Sequence, residues 1–219
     1  MSESDEPSSS TKEPIFNAPW PVAAIALIIV GGFFLQTLVP PEQVLPRWAF
    51  SPAALGEGRF ETLFTSLFLH GSWAHALMNA AFGLAFAAPV VRYFGTAPRG
   101  LLAFALFYLG CGAIGNLGFA ALHAGDTSLV VGASGAVSGL TAAASRIAGG
   151  RGEVGPLTSP LVVGMGLGIL IANILIAILG FAPGAGGAQV AWEAHLAGFA
   201  AGLFLVAPLG RIAGHVRVN

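Results

Sequence analysis

Six stretches of the chain are almost free of charge, and each is bounded by the few charged or turn-forming residues present. A membrane helix needs about 20 apolar residues to cross a hydrocarbon core of roughly 30 Å. The stretches run from Trp20 to Val39, His75 to Phe94, Leu101 to Leu122, Gly132 to Ile147, Pro160 to Phe181 and Val190 to Ile212, and they predict six spans in one membrane domain. The fourth is short. Only 14 residues, Gly132 to Ser145, come before Arg146, a helical length of about 21 Å at about 1.5 Å per residue. With Arg146 and Arg151 at the polar boundary, the other end, near Gly132, Ala133 and Ser134, lies below the opposite surface. The preceding AGDTSLVV must then descend as irregular backbone, which is tolerated at that depth only inside protein or beside a water-filled cavity.

Composition supports the membrane reading: 55% of residues are hydrophobic and 9% charged, against roughly 25% charged in soluble domains. A net charge of −1 leaves no basic excess to neutralise a nucleic-acid backbone, so nucleic acid is excluded as a main partner. The single Cys111 permits no intramolecular disulfide, and no spaced Cys and His set offers a zinc site. Thirty-one glycines suit closely packed membrane helices.

Residues 1–18 hold four acids and five serines and read as a disordered cytoplasmic tail. They lack the basic stretch before a short apolar run that a cleavable signal needs. The membrane domain covers 19–213, and 214–219 form a C-terminal tail. Arg92, Arg99, Arg146, Arg151, Arg211 and Arg217 fall on one side of the predicted spans, and Arg47 and Arg59 on the other. The positive-inside rule then puts both termini in the cytoplasm.

Three polar groups stand at membrane depth. His195 lies in the sixth span, with Gly198 and Gly202 within about 60° of it on the helix surface. His75 and Asn79, four residues apart, share one face of the second span, and His70 precedes them in a loop or first turn. Ser134 heads the short fourth helix, amid Gly132, Gly135 and Gly139. Taken singly, each set has a plain structural reading: a small-residue packing seam, or hydrogen bonds between helices. Together, a serine, a separate histidine and a pair of neutral donors are the parts nucleophilic acyl transfer needs.

The motifs HGSWAHALMN (His70, His75, Asn79), GASG (Gly132 to Gly135) and AHLAG with a later glycine (Ala194 to Gly198, then Gly202) fall in order on the second, fourth and sixth spans. In this the chain resembles the rhomboid family of intramembrane serine proteases, over roughly Ala18 to Ile212 and in the minimal six-helix form typical of bacterial members. The resemblance implies an all-α, six-helix membrane bundle with a short recessed fourth helix, placed in a bacterial inner membrane. It implies Ser134 as nucleophile and His195 as general base and acid, with His75 and Asn79 on the oxyanion side and His70 in support. Transmembrane protein substrates in the lipid bilayer are implied as partners, and no metal or organic cofactor. A catalytically silent relative that binds membrane clients is the alternative. A small transporter would need a second broken helix in the other half of the chain.

Glu193 lies about 200° from His195 on the helix and cannot serve as a third member by facing the same way. Asp126 reads as a solvated loop residue, and His123 and His215 as surface residues. Where many relatives carry an aromatic residue four positions after the serine, this chain has Ser138, so the orientation of His195 depends on another group. Where many carry a Trp-Arg pair before the first motif histidine, this chain has Glu61 and Thr62, with Arg59 displaced. The loop from Pro40 to Arg59 suits an amphipathic element whose Trp48 and Phe50 rest in the outer interface. The APGAGGA stretch, 182–188, suits a flexible cap over the site.

Overall fold

The computed structural model describes residues 18–179 and 190–214. Residues 1–17 and 215–219 of the expected tails, with His215 and Arg217, and the APGAGGA segment lie outside them.

Among the described residues the regular structure is helical. The elements are α1 (Trp20–Gln36), α2 (Pro41–Trp48), α3 (Pro52–Gly56), α4 (Thr62–Thr65) with a 3₁₀ turn Ser66–Phe68, α5 (Trp73–Phe94), α6 (Pro98–Leu122), α7 (Ser134–Gly149), α8 (Pro160–Leu179) and α9 (Trp192–Ala213). Four helices, α5, α6, α8 and α9, are long and apolar enough to cross a membrane, and α1 is a shorter apolar helix. Their outward faces carry exposed leucines, isoleucines and phenylalanines, such as Leu27, Phe82, Leu102, Ile171 and Phe204. In water such a surface would be an aggregation hazard; in a bilayer it is the solvated face. The chain is a multi-pass integral membrane protein.

The centre is α7. It is buried over most of its length, Gly135 to Ala144 lying almost wholly inside, because α5, α6, α8 and α9 all pack around it. Its buried hydroxyls are satisfied within the helix, Thr141 donating to the Val137 carbonyl and Ser145 to that of Ala142. Arg146, read from sequence as a boundary charge, is half-buried. Its guanidinium donates to the Gly155 carbonyl from Nε (2.9 Å) and Nη2 (2.7 Å) and to the Leu203 carbonyl from Nη1, tying the end of α7 to the following loop and to α9.

The approach to α7 is irregular, as the count of residues required. Between α6 and α7 the chain runs without a helix, and its backbone groups find partners in the segment before α5. Phe50 and Val130 exchange N–H to carbonyl bonds at 3.1 and 2.7 Å, Ala53 N–H donates to the Asp126 carbonyl, and Gly132 N–H donates to that of Ser66. Asn116 of α6 holds the same corner, donating to the Leu63 carbonyl and to Ser66 Oγ. This network overturns the interfacial reading of Phe50, which is fully buried opposite Val130 while Trp48 stays partly exposed under the Arg47 guanidinium. Displaced Arg59 donates to the Pro46 and Arg47 carbonyls, closing the end of α2.

Candidate active site

Ser134 is the first residue of α7, preceded by Ala133 as its cap. The leading N–H groups of a helix have no intrahelical carbonyl to bond, and the helix dipole adds a positive field there. Ser134 Oγ lies 2.9 Å from His195 Nε2 on α9. Two helices distant in sequence come this close because glycines line the seam. A Cβ on Gly198 would fall on the Gly135 carbonyl, and one on Gly202 on that of Gly139. Helix α6 completes the seam: a Cβ on Gly115 would sit 2.8 Å from the Ala194 carbonyl, and one on Gly118 would strike the Ala197 side chain. The α9 glycines were legible as a packing face, whereas those of α6 were not singled out.

On the other side of Ser134 stands α5. Its first turn is capped by Ser72, whose hydroxyl accepts from the His75 N–H at 3.1 Å. The His75 ring lies against Gly132, which adopts φ +121, where only glycine is unstrained. A side chain at Gly132 would also collide with that ring, its Cβ 2.7 Å from both Cε1 and Nε2. Asn79, one turn further along, is buried and spends one amide hydrogen on the His75 carbonyl of its own helix at 3.1 Å. His70 is buried in the loop before α5, edge-on to Phe33 and His75. Its backbone is clamped on both sides by the Gln36 side chain, at 2.9 and 3.0 Å. The five polar residues singled out in the sequence therefore gather around the start of α7.

The group missing from the sequence reading is Asn173. Its Oδ1 lies 2.8 Å from His195 Nδ1. It is the sole amide in an otherwise apolar helix, α8, and with Val162 one of that helix's two buried residues. A polar residue alone in an apolar span is the signal that could have found it.

The remaining ionisable groups stand apart. Glu193 is buried and bonded to His123 at 2.7 Å, so it faces away from the imidazole of His195, as the helical angle required. His123 is accordingly not a plain surface residue: it is half-buried, stacked on Phe119 with ring centroids 4.3 Å apart, and held between Glu193 and Asp126. Asp126 is a loop residue whose carboxylate accepts from the Ser128 N–H at 2.8 Å, which holds its pKa below the ordinary carboxylate range.

A hydroxyl bonded to an imidazole, at the positive end of a helix and faced by further donors, is equipped to attack a carbonyl and to stabilise the resulting oxyanion. In comparison with known proteins, the family model described as Rhomboid domain matches residues 57–212. No curated protein matches the chain.

Proposed function

The chain belongs to the rhomboid family, whose model covers more than half of it, and from that premise we propose that it is an intramembrane serine endopeptidase. It would cleave a peptide bond in or near the transmembrane segment of other membrane proteins. The observation that carries the reading is the 2.9 Å contact between Ser134 Oγ and His195 Nε2.

In the reaction, Ser134 Oγ attacks the scissile carbonyl carbon as its proton passes to His195 Nε2. The carbonyl oxygen gains negative charge and is met by the Ser134 N–H, the Asn79 amide and His75. Collapse breaks the C–N bond, His195 returns the proton to the departing amine, and the acyl group stays on Oγ. Water, deprotonated by His195, then hydrolyses the ester and restores the enzyme. A substrate helix must unwind to present its carbonyl, so small and helix-weakening residues are expected near the cut. The domain is read as 19–213, in a bacterial inner membrane with both termini cytoplasmic, in keeping with Arg92, Arg99, Arg151 and Arg211 on one side.

The test is cleavage of a fluorescent transmembrane reporter by the purified protein in proteoliposomes. Wild type should cleave it and be labelled at Ser134 by a fluorophosphonate. Ser134→Ala and His195→Ala should each abolish turnover with little change in thermal stability, since an interdependent nucleophile and base lose most of their rate together. A folded wild type that neither cleaves nor labels would instead be a silent, client-binding member.

A further inference from the structure

An imidazole can take the Ser134 proton only if the nitrogen facing the hydroxyl carries none, and the two neutral tautomers differ in this respect. The Asn173 amide decides between them. Its Nδ2 donates to the Ile169 carbonyl, one turn back on α8, at 2.8 Å, so Oδ1 is the end turned toward His195. An amide oxygen only accepts. Its 2.8 Å contact with Nδ1 therefore puts the imidazole hydrogen on Nδ1 and leaves the Nε2 lone pair for Ser134.

The surroundings favour this bond. Asn173 borders a hollow of about 130 Å³ whose other lining side chains, Leu170, Ile174 and Leu196 among them, are apolar apart from the indole N–H of Trp192. On α7, the residue one turn after Ser134 is Ser138, which brings no aromatic ring to pack on the imidazole.

We infer that Asn173 is the positioning residue of this site, a neutral acceptor that fixes the tautomer and ring orientation of His195. This rests on the protease reading. The amide supplies orientation but no charge to the imidazolium that forms during attack. Its removal should therefore cost less than the ~10⁴-fold seen where a triad is left with the wrong tautomer.

The test compares full-length wild type, Asn173→Leu and Asn173→Asp in proteoliposomes, with Ser134→Ala as blank. Asn173→Leu should lower kcat about 10- to 100-fold while KM stays within about twofold, because the bond acts on the base and not on substrate binding. Asn173→Asp keeps an oxygen acceptor in place and should recover most of the lost turnover. ¹⁵N NMR of histidine-labelled protein should show His195 protonated at Nδ1 in wild type and a tautomer mixture in Asn173→Leu. A wild-type kcat in Asn173→Leu, equal losses in the two variants, or a wild-type His195 bare at Nδ1 would overturn the assignment. If Asn173→Leu fails to fold, the Asp variant and the wild-type tautomer still decide. A wild type without activity would refute the protease reading, and the tautomer measurement would then judge Asn173 by itself.

Discussion

Gly198 of α9 lies against Gly135 of α7 so closely that a Cβ there would overlap the Gly135 carbonyl and stand 2.9 Å from its Cα. The same two helices carry His195 and Ser134. The separation of the reacting groups is therefore set by the absence of a side chain one turn after His195 and at the residue next to Ser134.

Replacing Gly198 by Leu should force the helices apart by an ångström or more, and a misplacement of about 1 Å can cost ~100-fold in rate. Gly198→Ala should show the same direction in smaller measure, since the clash is with backbone that cannot swing aside. Turnover of the reporter by protein that still runs as a monodisperse peak is the measurement. Wild-type cleavage by Gly198→Leu would mean that something other than this seam sets the distance.

What was legible and what was not divides along a physical line. The shortness of α7 and its irregular approach followed from a residue count and the close approach of α9 from glycine spacing, both properties of one segment. Asn173 was passed over because the rest of α8 is apolar all round, so no stripe showed that the face bearing the amide looks inward. Phe50 was misread because its burial depends on pairing with Val130, far along the chain, which leaves no local trace. Arg146 counted correctly as a positive charge near one end of α7, but its role in binding the Gly155 and Leu203 carbonyls arises only when the loop and α9 fold back on it.

Asn79→Ala separates oxyanion support from activation of the nucleophile. Loss of one oxyanion donor typically costs about 2.7–4 kcal/mol, or 10²–10³ in kcat. His75 and the Ser134 N–H would remain, so cleavage should persist at a reduced rate and a fluorophosphonate should still label Ser134, more slowly. Ser134→Ala should do neither. Equal turnover in Asn79→Ala and wild type would reduce Asn79 to its intrahelical bond with the His75 carbonyl.

Gly132 carries two constraints that a double-mutant cycle can resolve. Gly132→Ala should strain the backbone at φ +121 and press a methyl into the His75 ring. The conformational part costs of order 1–3 kcal/mol. Adding His75→Ala removes the collision and leaves the strain, so the double variant should melt above the sum of the two single losses. Strict additivity in thermal denaturation would show that the ring and the glycine are not coupled.

The pair His123 and Glu193 predicts an asymmetry in stability. The Glu193 side chain is 8% exposed and that of His123 is 35% exposed. His123→Ala therefore leaves a carboxylate shut away from water without its 2.7 Å partner, a loss that exceeds the ~1–3 kcal/mol typical of a neutral buried group left unsatisfied. Glu193→Leu leaves an imidazole that can reach water and still has Asp126 at 4.0 Å, so its cost should be smaller. The double variant His123→Ala/Glu193→Leu should melt above His123→Ala alone, because it removes the buried polar group left without a partner and substitutes an apolar side chain of similar size. Thermal melts of the four proteins in one detergent decide the matter. If Glu193→Leu proved as damaging as His123→Ala, and the double variant worse than either, packing around the first turn of α9 would outweigh the hydrogen bond between the two side chains.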